Sequence, residues 1–280
     1  MNLRKSQLPL GWYPRTVREI ESFLRLRSQK TGAGAAVAPH AGWYYSGRIA
    51  AEAVSSLLSG GQKTDTVVII GGHLPQGYPP LFAMEDGVQS PLGTMMIDRE
   101  FRDLLSGRIG GSPDLYRDNT VEVLLPMVHY FFPDASLVWL RLPAEKCSYE
   151  TGEEIAALSL SLGRNLAVLG STDLTHYGLN YGFSPRGGGQ KALDWVREVN
   201  DHSFIEAVKS GDPALILERA EKDRSACSAG AVMGVLGYAR KMGFGNAELL
   251  AYGTSAEAGG AVSDEEIPDS FVGYGAFAWY

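Results

Sequence analysis

The sequence has few of the features that mark membrane, secreted or nucleic-acid-binding proteins. It contains no run of 18 or more apolar residues, which argues against a transmembrane helix. Residues 1–10 lack the apolar core of a secretory signal peptide. Lysine and arginine form no dense cluster, and the formal net charge is −7, so a surface for DNA or RNA is not expected. We therefore predict a cytoplasmic protein that binds neither membranes nor nucleic acids.

Cysteine and histidine are both scarce. The chain has 2 cysteines, Cys147 and Cys227, which are too few and too far apart for a disulfide framework. Of its 5 histidines, His40, His73 and His176 follow apolar runs that predict strands, and the other two fall within predicted helices. No nucleotide-binding Gly-x-Gly-x-x-Gly or Walker sequence is present in a suitable context, and no Gly-x-Ser-x-Gly nucleophile motif occurs.

What the sequence does contain is an alternation of short apolar runs and amphipathic segments. The runs predict strands, and apolar residues at helical spacing predict helices between them. Strands are expected at 34–38, 65–70, 137–142, 166–170, 248–252 and 271–279, and helices at 17–26, 48–58, 121–132, 149–162, 191–209, 213–220 and 229–241. This order predicts an α/β fold in which residues 1–280 form a single domain, with a mixed central β-sheet and helices on both faces.

Three of the predicted strands end in polar residues that can form one site. His40 and His73 each follow one strand, and Asp173 with His176 follows a third. In open α/β sheets, ligands bind beyond the carboxyl ends of the strands, so these residues can converge on one crevice. A carboxylate near an imidazole can set its tautomer, which would make His176 with Asp173 a general acid or base. Alternatively, Asp173 caps a local turn and His176 only packs.

Cys227 immediately precedes the helix predicted at 229–241. The positive end of a helix dipole favours the thiolate, which is the form that acts as a nucleophile or a metal ligand. The alternative is a small buried cysteine that packs like alanine. Two imidazoles and a thiolate would make an open three-ligand set for catalytic zinc, copper or iron, although the spacing matches no local metal motif.

Seven short motifs follow one another over nearly the whole chain. They are Gly11–Pro14, Pro39–Gly47, Ser90–Gly93, Val121–Pro126, Ser171–Gly178, Ala226–Gly230, and Tyr252–Ser255 with Val272–Tyr274. Together they resemble the Memo family, the Memo member of the AmmeMemoRadiSam set. The P-H-A-G and S-x-D-x-T-H-Y-G stretches are the most diagnostic.

The resemblance implies a fold similar to the LigB-type, class III extradiol dioxygenases, with a non-haem metal in the site. It implies that His40, His73 and Cys227 bind a divalent metal, with Fe(II) expected first and copper or zinc as alternatives. His176, with Asp173, matches the acid/base histidine of the dioxygenases. The implied function is a redox or dioxygenase-like enzyme acting on a small aromatic or unsaturated substrate.

A second function remains open beside the enzyme. The same crevice would then hold a peptide or a partner protein without catalysis, and partner proteins of the AmmeMemoRadiSam set are candidates. Two departures from the family pattern motivate this alternative. The turn before His73 reads Gly71-Gly72 and lacks the family's proline, and Asn119 stands where the family has a histidine. An amide cannot transfer a proton at neutral pH.

The aromatic residues after His40 are expected to line the substrate pocket. Trp43, Tyr44 and Tyr45 would form part of its wall, or would pack the helix that follows. Asn119 is placed in the same pocket. Glu122 is expected either to add a polar group there or to be a surface charge.

Overall fold

The computed structural model describes residues 1–25, 32–58, 63–258 and 267–280. The strands are β1 Leu3–Arg4, β2 Ala35–Ala38, β3 Thr66–Leu74, β4 Leu81–Phe82, β5 Gly87–Ser90, β6 Gly93–Met96, β7 Ser112–Pro113, β8 Ser136–Pro143, β9 Leu166–Ser171, β10 His176–Gly178, β11 Glu248–Thr254 and β12 Ser270–Trp279. The helices are α1 Val17–Leu24, α2 Trp43–Ser56, α3 Arg99–Ile109, α4 Asn119–Glu122, α5 Leu125–Phe131, α6 Lys146–Leu162, α7 Gln190–Trp195, α8 Asp201–Ser210, α9 Pro213–Lys222 and α10 Ala229–Met242.

A mixed sheet of nine strands, counted over the described residues, forms the centre of the fold. Its order is β10-β12-β2-β9-β3-β8-β4-β7, and β11 pairs with β12. The four central strands β2, β9, β3 and β8 are parallel to one another, whereas β12 is antiparallel to β2 and β4 is antiparallel to β8. A separate small sheet contains β1, β5 and β6. The predicted α/β fold with a mixed sheet is confirmed.

Helices cover both faces of this sheet because its central strands are apolar on both sides. In β3, Val67 and Ile69 face a core with α2 and α5, whereas Val68 and Ile70 face a core with α6 and α10. This alternation is the two-residue period of a strand, and a continuous β-branched run is typical of a parallel strand covered on both faces. Burying each such side chain contributes about 1.5–3 kcal/mol.

Three predicted helices differ from the structure in more than a shift of a few residues at one end. Helix α2 begins at Trp43 rather than at residue 48. Gly42 is its N-cap, and Trp43, Tyr44 and Tyr45 lie in its first turn. The helix predicted at 121–132 is two helices, with Pro126 in the first turn of the second, where its missing N–H costs nothing. The helix predicted at 191–209 contains a π-helical segment, Val196–Asn200.

The end of the first predicted helix, at residue 26, lies outside the described residues. So does much of segment 253–263, whose glycine, alanine and serine content predicts a loop. Among the helices that the structure describes, none is both long enough and apolar enough to cross a membrane.

Candidate metal centre

The candidate site lies at the carboxyl ends of three neighbouring parallel strands. Strand β9 lies between β2 and β3, with Ser171 opposite Ala38 and Gly170 opposite Ile70. His40, Asp173 and His73 follow or end these strands, so all three reach the same edge of the sheet. Cys227 does not follow one of these strands; it directly precedes the N-cap of α10.

His40, His73 and Cys227 form one cluster of potential metal ligands. One ligand atom from each residue lies within 4.8 Å of the others. The Cys227 Sγ lies 3.2 Å from Nε2 of His40, and the two imidazole rings meet edge to face with centroids 4.9 Å apart. Two imidazole nitrogens and a thiolate are a donor set suited to zinc, copper or iron. The residues present therefore fit a divalent metal ion.

His40 is fixed by hydrogen bonds from three directions. Its Nδ1 lies 2.8 Å from Oγ of Ser171, its backbone N–H donates to Oδ1 of Asp173 at 2.7 Å, and Asn119 Nδ2 donates to its carbonyl oxygen at 2.9 Å. The side chain is almost completely buried. With Nδ1 engaged, Nε2 is directed at Cys227, which is how metal-binding histidines are commonly oriented.

His73 occupies a left-handed backbone conformation, with φ of 57°, which is uncommon for a residue with a side chain. Its Nδ1 lies 3.1 Å from Oδ2 of Asp118. Burial alone would lower the pKa of His73, but the hydrogen bond to Asp118 and the proximity of Cys227 raise it to about 10. Burial alone would raise the pKa of Asp118, but His73 and Arg141 lower it to about 2. Both shifts favour a carboxylate on Asp118 and an imidazolium on His73.

The thiol of Cys227 is held in its ionised form by its surroundings. Burial alone would raise the pKa of the thiol, but the imidazoles of His40, His176 and His73 lower it well below its usual value. The backbone N–H of Asp173 also donates to Sγ at 3.3 Å. A thiolate surrounded by imidazoles that carry protons is an arrangement in which a cation can replace those protons.

His176 lies beside Asp173 and close to Cys227. Its Nε2 lies 3.8 Å from Oδ2 of Asp173, and it is a buried atom with no hydrogen-bond partner among the described residues. Burial alone would lower the pKa of His176, but Asp173 and Cys227 raise it to about 9. The ring of Tyr181 lies beside it, with centroids 4.9 Å apart. An orphaned ring nitrogen beside an open crevice is suited to contact a ligand.

A crevice of about 650 Å³ opens over this site. Its described lining comprises Leu10, Gly11, Trp12, His40, Ala41, Gly42, Tyr45, His73, Asn119, Asp173, His176, Asn180, Tyr181, Ser255, Ser270, Val272 and Tyr274. Cys227 borders a second cavity, of about 430 Å³. The main crevice has the size and the mixed aromatic and polar lining of a small-molecule site.

Two aromatic residues expected in the pocket, Trp43 and Tyr44, are not part of the described lining of the crevice. Trp43 is buried, and its Nε1 donates to the carbonyl oxygen of Val123 at 2.9 Å, so it belongs to the core. Tyr44 lies in a neighbouring groove, and Tyr45 is the one described residue that lines both the groove and the crevice. Both follow from the early start of α2, since successive helical residues point in different directions.

Glu122 is neither a pocket residue nor a surface charge. Its buried carboxylate accepts hydrogen bonds from Ser6 Oγ, from Tyr13 OH, and from the backbone N–H groups of Gln7 and Leu8. It therefore anchors the N-terminal segment that carries Trp12 into the crevice wall.

Several residues of the site were not anticipated from the sequence. Trp12 and Tyr274 belong to the Gly11–Pro14 and Val272–Tyr274 motifs, and their place in these motifs is the feature of the sequence that could have identified them. Asp118 directly precedes Asn119 in the segment compared with the family, but nothing local marks it as the partner of His73. Tyr181 lies outside the motifs and carries no such signal.

Comparisons with known proteins point to one family. A model of the Memo family, described as "Memo-like protein", matches residues 4–278. The chain is 30% identical over 252 residues to a "MEMO1 family protein" of Pyrobaculum arsenaticum, covering 87% of this chain and 82% of the relative. It is 32% identical to one of Methanococcoides burtonii, covering 80% of this chain and 81% of the relative.

One further relative matches over nearly the whole length of the chain, and one solved structure is more distantly similar. A "MEMO1 family protein" of Methanosarcina mazei is 27% identical over 99% of this chain and 98% of its own length. The solved structure of an uncharacterised protein from Escherichia coli K12 has a TM-score of 0.40 and 13% identity, covering 85% of this chain and 98% of that chain. That structural likeness is too distant to support an inference.

Proposed function

Because the chain belongs to the Memo family, we propose that it is a metal-dependent redox or dioxygenase-like enzyme whose metal is bound by His40, His73 and Cys227. The observation that carries this proposal is the convergence of the three ligand atoms to within 4.8 Å beside the crevice. Fe(II) is the metal we favour, with copper or zinc as alternatives. When bound, such a cation supplies Lewis acidity and open coordination positions.

The chain's own residues supply proton transfer and orientation. His176 lines the crevice, and its buried Nε2 has no hydrogen-bond partner among the described residues. In this proposal that atom gives a proton to, or takes one from, a bound substrate. Asp173 lies beside that nitrogen, and its other oxygen is fixed by the backbone N–H of His40. The carboxylate therefore links the proposed acid/base residue to a proposed ligand.

The lining of the crevice supports a small, planar substrate. Trp12, Tyr45 and Tyr181 contribute aromatic surface, and Asn119 and Ser255 contribute polar groups. Aromatic rings favour flat aromatic or unsaturated molecules, whereas a few polar groups fix their orientation. A catechol-like compound is the substrate class that we would examine first.

Oxygen consumption tests the catalytic proposal. We expect the Fe(II)-loaded protein to consume oxygen with at least one member of a catechol panel, and His176→Ala to slow that reaction by about 10²–10⁴-fold without loss of metal. His202→Ala is the matched control, since His202 is an exposed histidine on α8. Metal-loaded protein that consumes no oxygen with any of these compounds would contradict the redox assignment.

A non-catalytic binding module is the second candidate. It is favoured by exposed apolar side chains at the crevice, with Leu10 84%, Tyr45 53% and Tyr181 37% exposed. Such residues are suited to contact a peptide or a partner protein, including partners from the AmmeMemoRadiSam set. If His176→Ala alters peptide binding and no turnover is found, this function replaces the enzymatic one.

A further inference from the structure

The turn that carries His73 is packed tightly against two other segments. A Cβ atom at Gly71 would overlap Oγ1 of Thr120, and one at Gly72 would overlap the side chain of Ser228, which follows Cys227. Glycine at both positions therefore allows α4 and the Cys227 segment to approach the turn. This explains why the turn reads Gly-Gly, but it leaves the left-handed backbone of His73 to be held by other contacts.

Arg141 supplies contacts that hold this turn. It lies near the carboxyl end of β8, is 3% exposed, and its Nε donates to the carbonyl oxygen of Gly72 at 3.0 Å. One terminal nitrogen lies 3.2 Å from Oδ2 of Asp118, and the other donates to Oδ1 of Asp114 at 3.2 Å. The planar guanidinium thus reaches three acceptors at once, a geometry that lysine cannot reproduce.

Asp118 connects Arg141 directly to the imidazole of His73. The same carboxylate oxygen, Oδ2, lies 3.2 Å from Arg141 and 3.1 Å from Nδ1 of His73. The other oxygen accepts from the side chain and the backbone N–H of Thr120. Arg141 therefore contacts both the backbone before His73 and the carboxylate that orients its ring.

Arg141 is itself fixed by a buried network that begins in the N-terminal strand. Asp114 accepts from Trp139 Nε1 at 2.9 Å, and its carboxylate lies 3.6 Å from Arg4. The Arg4 guanidinium also donates to the Asp114 carbonyl oxygen at 2.7 Å and lies over the Trp139 ring. Buried charges that are paired on every side hold one another in a single geometry.

We propose that Arg141 is a positioning residue for His73, holding the Gly72 turn and the Asp118 carboxylate so that the His73 ring faces Cys227. The inference rests on the proposed ligation of metal by His73. An outer contact of this kind orients the ring, and its loss typically weakens metal binding by about 10–100-fold.

Cobalt binding tests this role with a readout other than activity. We expect Arg141→Met to bind Co(II) about 10–100-fold more weakly than the wild type while keeping the thiolate-to-Co(II) absorption band, because Cys227 remains in place. Arg102→Met is the matched control: Arg102 is also buried and bonds to the carbonyl oxygens of Ala83 and Glu85, away from His73. Its Co(II) affinity should equal that of the wild type.

Measuring the same change in a His73→Ala background distinguishes a positioning role from a general loss of structure. If Arg141 acts through His73, the Arg141→Met change should have little further effect there. An equal loss of affinity in both backgrounds, or no loss in either, would overturn the proposal. Should Arg141→Met fail to fold, Arg141→Lys keeps the charge but not the three contacts, and the same loss of affinity is expected.

NMR spectra of the histidine rings in the metal-free protein test this inference independently of the metal assignment. The ¹⁵N resonances of the His73 imidazole should shift in Arg141→Met and remain unchanged in Arg102→Met. Unchanged His73 resonances in Arg141→Met would overturn the positioning role. Wild-type protein that binds no Co(II) would instead refute the proposed metal function, and the ring spectra would still decide the role of Arg141.

Discussion

Glu122 shows how a single buried charge can shape a site that it does not touch. Its carboxylate satisfies the N–H groups of Gln7 and Leu8 and the hydroxyls of Ser6 and Tyr13. Trp12 lies within the segment fastened in this way, and its carbonyl oxygen accepts the backbone N–H of Trp43 at the start of α2. The residue thus joins the N-terminal segment to the crevice wall.

Replacing Glu122 with alanine should lower the free energy of unfolding by about 3 kcal/mol or more, because several buried donors lose their acceptor. Urea denaturation measures this change. Glu206→Ala is the control, since Glu206 is exposed and its ion pair among the described residues is with Lys209, and it should change stability by less than about 0.5 kcal/mol. Equal effects of the two variants would show that the buried carboxylate does not hold the segment.

At the scale of elements, Asn200 at the end of the π-helical segment Val196–Asn200 and Asp201 directly after it both contact the residue before the strand that begins at His176. Asn200 Nδ2 donates to Oγ1 of Thr175 at 2.8 Å, and Asp201 Oδ1 accepts the Thr175 backbone N–H at 3.0 Å. Asp201 also accepts the hydroxyl of Tyr252 at 2.8 Å. Short π segments often occur near functional sites, and this one fixes the residue before the proposed acid/base histidine.

The stability of the protein should depend on pH through Asp201. Burial raises the pKa of Asp201 to about 6, from an ordinary value of 3.8. Below the ordinary value the carboxyl is protonated in both states, and as pH rises toward 6 the unfolded chain ionises first. The wild-type free energy of unfolding should therefore fall relative to Asp201→Asn between about pH 4 and pH 6, by on the order of 3 kcal/mol.

Urea unfolding at several pH values measures this difference. Asp134→Asn removes one exposed carboxylate and controls for the change in net charge. A difference between wild type and Asp201→Asn that stays constant from about pH 4 to pH 6 would show that Asp201 ionises alike in the folded and unfolded chains.

At the scale of the whole molecule, the central sheet was the part most open to prediction. Strands β3, β8 and β9 are buried on both faces, so their sequences are continuous apolar runs that can be recognised without knowing their neighbours. Because the site residues follow such strands directly, locating the strands also located His40, His73 and Asp173. The order of the strands, which brings these residues together, depends on contacts distant in sequence.

The residues that support the site were not open to prediction in the same way. Glu122 and Arg141 are charged residues whose burial depends on partners far along the chain, and no local pattern identifies those partners. For Trp43 the sequence leaves two possibilities open, the pocket wall or packing of the following helix, and the structure places its ring in the core at the start of α2. Long-range packing decides each of these cases.

Metal content is the most direct test of the central claim, that His40, His73 and Cys227 form one metal site. Protein loaded with Fe(II) without oxygen, desalted and analysed for metal should retain about one equivalent. Cys227→Ser should lose most of it, whereas Cys147→Ser, which alters the exposed cysteine, should match the wild type. Wild type that retains no iron, copper or zinc, or Cys227→Ser that retains as much as the wild type, would contradict the claim.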